Sequence, residues 1–197
     1  MPNIKDISID LEDSLINKEI NEKTPYIDIN IEKGDITKID VDIVVNAAHS
    51  DLTGGGGVDG AIHNGAGSKL LEECLNLYGC LEGECRITSA YDLPAKYIIH
   101  TVGPIWNQDK NKQKEAEEVL KRCYMSCLEM AEMQGLKSIA FPCISTGAYC
   151  FPKKRAAEIA LDTIKLYFNN IVNSYIDIVY IICFTDEDVE IYRNLIE

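Results

Sequence analysis

The sequence predicts an α/β fold, a sandwich of helices on a mostly parallel central sheet. Short β-branched strand patterns alternate along the chain with helical patterns of ten or more residues, the signature of strand–helix–strand units. At 197 residues the chain fits a single domain by the rule of roughly 150 residues each. Apolar residues make up 46% and charged residues 26%, which excludes disorder, collagen and coiled coil.

Residues 1–24 are polar and weakly patterned and are expected to form an N-terminal extension with one helix over Asp10–Glu22. The domain proper is assigned to 25–197. Ile27, Ile29 and Ile31 alternate with Asp28, Asn30 and Glu32, as in a half-exposed strand. Ile43-Val44-Val45 is a buried strand pattern, followed by a glycine-rich loop and helical patterns over Gly60–Ala66 and Ser68–Tyr78. Arg86–Ala90 and Tyr97–Val102 are strand patterns. Over Lys112–Gln134, Ala116, Val119, Leu120, Cys123, Cys127, Met130 and Ala131 share one helical face. Ser138–Phe141 is a strand pattern. Pro152 suits the first turn of a helix reaching Phe168. Tyr175–Phe184 is the most apolar strand, and Thr185 with Asp188 predicts a capping box on a last helix to Leu195.

The longest unbroken apolar run, Ile178–Phe184, is far shorter than the ~20 residues of a membrane helix. The opening MPNIKDISIDLED lacks the basic and apolar regions of a signal peptide. A cytoplasmic protein with no membrane association is therefore expected. Nineteen Lys and Arg stand against 32 Asp and Glu, a net charge of −13, which disfavours nucleic acid as a partner. A small anion is still allowed where main-chain N–H groups and helix N-termini hold it. The eight cysteines contain no C-x-x-C pair and are expected to be reduced, mostly buried thiols, with no metal bound. No pattern suggests an oligomer, so a monomer is expected.

Three loops leave the C-terminal ends of predicted strands, where open α/β sheets bind ligands. Gly34-Asp35-Ile36-Thr37 is either a turn capped by Asp35 or a carboxylate aimed at a ligand donor. Asn46-Ala47-Ala48-His49 leads into Gly54-Gly55-Gly56-Gly57-Val58-Asp59, where four glycines in a row imply positive φ or close ligand approach. This tract follows its strand too late for a dinucleotide fingerprint, and no Walker motif occurs. Ser145-Thr146-Gly147-Ala148-Tyr149 offers a second set of amides before the Pro152 helix. Two such cradles on one sheet edge suit a diphosphate between them.

Taken together, GDIT at Gly34–Thr37, NAA at Asn46–Ala48, GGGGVDGAIH at Gly54–His63, LPAKYIIHTVGP at Leu93–Pro104 and ISTGAY at Ile144–Tyr149 resemble the macrodomain family, in its MacroD-type branch. The resemblance runs from about Tyr26 to Leu195. It implies a three-layer α/β/α sandwich with a mixed, mostly parallel sheet that binds ADP-ribose. The implied activity is removal of ADP-ribose from modified acidic side chains of proteins and deacetylation of O-acetyl-ADP-ribose, with no cofactor. A reader module without turnover, or a phosphatase acting on ADP-ribose 1″-phosphate, would use the same pocket.

By the family pattern, Asp35 takes the adenine amino group, Ile36 gives a main-chain contact and Phe184 stacks near the base. Gly56, Gly57, Val58 and Ser145, Thr146, Gly147, Ala148 and Tyr149 hold the diphosphate and distal ribose, which Asn46 faces. Asp59 is the implied base or water-orienting group, although by position alone it is equally an N-cap of the Gly60–Ala66 helix. The family usually reads NAAN, and its second Asn partners the catalytic Asp. Here that position is His49, which either serves as a general base itself or leaves a binder with weak turnover. His63 and His100 are expected to be structural, each satisfying a buried hydrogen bond.

Overall fold

The computed structural model describes residues 27–196. The helix expected over 10–22 lies outside them. Six strands form one sheet: β1 (Asp28–Lys33), β2 (Val41–Ala47), β3 (Cys85–Ser89), β4 (Ala95–Thr101), β5 (Ser138–Pro142) and β6 (Ile178–Cys183). Their spatial order is β1-β6-β5-β2-β4-β3. Every pairing is parallel except β3 with β4. Only the short stretch Ala90–Pro94 joins those two, too little chain for the crossover that a parallel pair needs.

Helices cover both faces. α1 (Gly57–Ala66) and α2 (Ser68–Leu75) lie on one, and α3 (Lys110–Met133), α4 (Lys153–Asn170) and α5 (Asp186–Ile196) on the other. Strand alternation feeds both layers. Ile43 and Val45 point into the core with α3 and α4, while Val44 between them packs under α1 with Ile62 and Leu70. The middle of β2 is buried on both faces, so Ile43-Val44-Val45 is an unbroken apolar run. Each fully buried aliphatic side chain here contributes about 1.5–3 kcal/mol. The three-layer α/β/α sandwich is thus the observed architecture. Among the described residues no helix is long and apolar enough to cross a membrane.

Several boundaries moved, each for a local reason. α1 begins at Gly57, because Gly57 takes a φ of +60° and turns the chain into the helix. Asp59 therefore sits inside the first turn, and Gly56 is the N-cap. Pro152 is the N-cap of α4 rather than its first helical residue. α2 stops at Leu75, and Tyr78 adopts a φ of +56° in the turn beyond. The Thr185–Asp188 box forms: Asp188 N–H donates to Thr185 Oγ1 at 3.2 Å, and that hydroxyl donates back to Asp188 Oδ2 at 2.6 Å. All eight cysteines are free thiols, and only Cys143 and Cys150 are not buried.

The two ends of the sheet differ. At the N-terminal end of β2, Asp42 accepts from Lys137 N–H at 2.8 Å and from Lys96 Nζ at 2.6 Å, binding β2 to its neighbours. At the opposite end, β1, β6, β5 and β2 lie side by side and release four loops along one edge. Three inter-strand steps make that edge about 14 Å long.

Candidate functional site

A cavity of about 330 Å³ opens at the β2 and β5 end of this edge. Gly55–Asp59 form one wall and Gly147–Tyr149 the other, with His49, Cys143 and Ser145 also in its lining. The glycine wall is built by close approach. A Cβ on Gly60 would collide with the Gly55 carbonyl, so the loop lies directly on α1 only because Gly60 has no side chain. Gly56 offers no side chain to cap α1, so the first-turn N–H groups are left to an anion or to solvent. Across the cavity, Ser145 holds a φ of +65° and its buried Oγ has no partner. Gly103 packs beneath it, where a Cβ would collide with that hydroxyl. The Ser145 C=O accepts from Phe151 N–H at 3.0 Å, and the Gly147 C=O from Cys150 N–H at 2.9 Å, so the loop is fixed from within.

Asp59 is 4% exposed and is held from three sides. Its Oδ1 accepts from Asn46 Nδ2 at 2.8 Å, and its Oδ2 faces the His49 main-chain N–H at 3.4 Å. His63, one turn later on α1, brings Nε2 to 3.6 Å from Oδ1. Behind Asn46, strand register sets His100 directly opposite on β4, and Asn46 Nδ2 lies 3.1 Å from His100 Nδ1. An amide nitrogen only donates, so Nδ1 is the acceptor and His100 carries its proton on Nε2, 2.9 Å from Thr88 Oγ1. Burial, with His63 nearby, pushes His100 down to about 3, so the ring is neutral. The Asn46 amide thus donates both ways, to the carboxylate at the cavity and through His100 to buried Thr88.

Of the expected site residues, the cavity gathers His49, Gly56, Gly57, Val58, Asp59, Ser145, Gly147, Ala148 and Tyr149. Asn46 is fully buried just behind the lining, with Nδ2 given to Asp59 and His100 and Oδ1 without a partner, so it supports the carboxylate. Thr146 turns its hydroxyl inward to the Cys143 C=O at 2.9 Å. The His49 ring meets Asp51 at 3.1 Å, and it is the main chain of His49 that meets Asp59.

Asp35, Ile36 and Phe184 lie farther along the edge, outside this cavity. Asp35 caps the short turn Ile36–Lys38, its Oδ1 accepting from Thr37 Oγ1 at 2.7 Å and Thr37 N–H at 3.0 Å. Those two bonds, the hydroxyl's foremost, hold its carboxyl below the usual range and keep it an acceptor. Ile36 is buried beneath the turn. Gly34 N–H donates to the Cys183 C=O at 3.0 Å, so Phe184, 85% exposed, stands next to the Asp35 turn.

Two residues were missed as site components. His63 was expected to satisfy a buried hydrogen bond, yet its Nε2 has no partner and points to Asp59. Its position four residues after Asp59 was the signal, visible once both are placed on one helix. His100 carries no local signal and joins through strand register. His63, Cys74 and His100 also bring ligand-type atoms within 4.8 Å of one another. Both His100 nitrogens are engaged, however, and burial raises the Cys74 thiol to about 11, so the cluster is poorly prepared to donate to a cation.

The macro domain family matches residues 45–160, more than half the chain. A macro domain-containing protein of Methanosarcina mazei is 52% identical over 159 residues, 81% of this chain and 82% of that one. The human ADP-ribose glycohydrolase MACROD2 is 46% identical over 183 residues, 93% of this chain and 41% of the relative's length. Among solved structures, the Oceanobacillus iheyensis macrodomain with ADP matches with a TM-score of 0.77 at 45% identity, covering 84% of this chain and 88% of that one. The Trypanosoma brucei macrodomain in complex with ADP-ribose matches with a TM-score of 0.81 at 38% identity, covering 89% and 72%. A family match across the glycine loop and the Ser145 loop, on a backbone that follows macrodomain structures over most of its length, makes this chain a member of the macro domain family.

Proposed function

We propose that the protein binds ADP-ribose along the C-terminal sheet edge and hydrolyses it from modified acidic side chains, with O-acetyl-ADP-ribose as a second substrate. The observation that carries this reading is Asp59, an acceptor fixed by Asn46 at the wall of a cavity lined with helix N-terminal amides. Relatives named as ADP-ribose glycohydrolases, and neighbours solved with ADP and ADP-ribose, support the choice of ligand.

In this reading Asp35 accepts from the adenine amino group and Phe184 stacks on the base. The amides of Gly56–Val58 and of the Ser145–Tyr149 loop take the diphosphate, which delivers the distal ribose to Asp59. There Oδ2 orients a water for attack at the bond between the ribose and its acyl group, while Oδ1 stays anchored on Asn46. His63 stands where it can exchange a proton with Asp59.

The test is incubation with a protein carrying Glu-linked mono-ADP-ribose, following free ADP-ribose over time. Release proportional to enzyme supports the hydrolase. Tight binding without release overturns it in favour of a reader module.

A further inference from the structure

Deepening that reading, and resting on its placement of the distal ribose, we propose that His49, held by Asp51, donates the proton to the ribose oxygen that departs when an acyl ester on that ribose is hydrolysed.

His49 lies in the cavity lining, and its main-chain N–H to Asp59 Oδ2 places it beside the water-orienting carboxylate. Its Nδ1 is 3.1 Å from Asp51 Oδ1. That carboxylate is itself pinned, because Thr53 N–H donates to the same oxygen at 3.1 Å. The Thr53 main-chain bond is the foremost reason that the Asp51 carboxyl lies below its usual range, so it is ionised at neutral pH.

The surrounding turn is equally well supported. Leu52 N–H donates to the His49 C=O at 3.0 Å, Leu52 is fully buried at a φ of +59°, and Cys80 N–H donates to the Ser50 C=O at 2.9 Å. A carboxylate on Nδ1 fixes a proton there and leaves Nε2 as the nitrogen that exchanges protons. In the step proposed here the ring that donates from Nε2 carries a proton on each nitrogen. The other groups around this corner are Asp59 on α1 and Tyr149 on the β5 loop. Burial foremost, then Glu82, Asp59 and Asp51, raises the Tyr149 phenol, so it remains protonated and adds no positive charge.

The step balances without a co-reactant. Water oriented by Asp59 adds to the acyl carbonyl and gives a proton to Oδ2. The acyl carbon–oxygen bond breaks, and the ribose oxygen takes the proton from His49 Nε2. Solvent then recharges the ring and discharges Asp59, for one carboxylic acid and one ribose hydroxyl per water consumed. Attack at C1″ instead expels a carboxylate, which leaves without a proton, so only the acyl route depends on His49.

The test compares the wild-type protein with Asp51→Asn and His49→Ala, measuring kcat and KM for O-acetyl-ADP-ribose and for Glu-linked ADP-ribosylated protein. Labelled water shows which bond breaks in the second reaction, and ADP-ribose titration reports on folding and binding. The expected result is a loss of about tenfold or more in deacetylation kcat for Asp51→Asn, and about 100-fold or more for His49→Ala. KM and ADP-ribose affinity stay near wild type, so the loss falls on kcat, and it is larger for O-acetyl-ADP-ribose than for release by attack at C1″. An Asp51→Asn variant with wild-type deacetylation kcat overturns the proposal while leaving the hydrolase reading intact. A wild-type protein that frees neither acetate nor ADP-ribose overturns both.

Discussion

Asn46 and Asp59 come from different elements, the end of β2 and the first turn of α1, yet a 2.8 Å bond joins them in a buried position. With its second contact on His100, that amide fixes which way the carboxylate can face. The hydrolytic reading depends on this rigidity more than on the carboxylate alone.

Asp59→Ala is expected to reduce ADP-ribose release by about 100-fold or more, the usual scale for removing an acid–base group. ADP-ribose affinity should change little, because the proposed ligand contacts are amides on either side of it. Asn46→Ala should lose activity in the same direction with the carboxylate still present. Parallel measurement of kcat and of calorimetric affinity checks both, and a variant that loses affinity in step with kcat contradicts the assignment.

Gly60→Ala places a methyl against the Gly55 carbonyl. On propensity alone the change favours a helix by about 1 kcal/mol. The expected outcome is therefore a folded protein whose displaced glycine loop binds ADP-ribose about tenfold or more weakly. Affinity by titration and helicity by circular dichroism separate the two effects.

Phe184→Ala removes an aromatic side chain that is 85% exposed and contributes little to the core. Thermal stability should be unchanged. Affinity for ADP should fall by about 0.5–1.5 kcal/mol, the worth of an aromatic contact, while affinity for ribose 5-phosphate, which lacks the base, stays the same.

Stability should fall with pH in a window set by His100. Below the ordinary imidazole value of 6.5, the unfolded chain takes up a proton that the buried ring refuses until about 3, so unfolding is favoured as pH drops. The slope reaches about 1.4 kcal/mol per pH unit. Asp35, Asp42, Asp51 and Glu117, all held below their usual range, contribute stability that is lost only below about pH 4.5. Denaturant unfolding of His100→Gln, whose amide can accept from Asn46 and donate to Thr88, should show a flatter dependence between about pH 4.5 and 6.5.

The strands were legible because Ile43–Val45 and Ile178–Cys183 are apolar runs that have no alternative but burial. The cradle loops were legible because glycine runs are costly unless a backbone needs them. Asp59 was harder to place. Gly-Val-Asp-Gly has poor helix propensity, so the start of α1 was assigned three residues late and the carboxylate looked like a cap. The roles of Asn46 and His100 follow from β2–β4 register, a non-local property that no window of sequence displays. The His49 ring had two acidic neighbours to choose from, and Thr53 decided the matter by fixing Asp51 within the same turn.

The cradles described above contain no lysine or arginine, although the chain has 19 of them. A phosphate held by an arginine clamp is loosened when salt is added, whereas a phosphate held by peptide dipoles at short range has little to lose. On a protein of net charge −13, salt also screens the repulsion that an incoming dianion must cross. ADP-ribose affinity should therefore hold steady or rise with ionic strength, so that polyanions at large gain no general foothold and only a ligand of the right shape is retained.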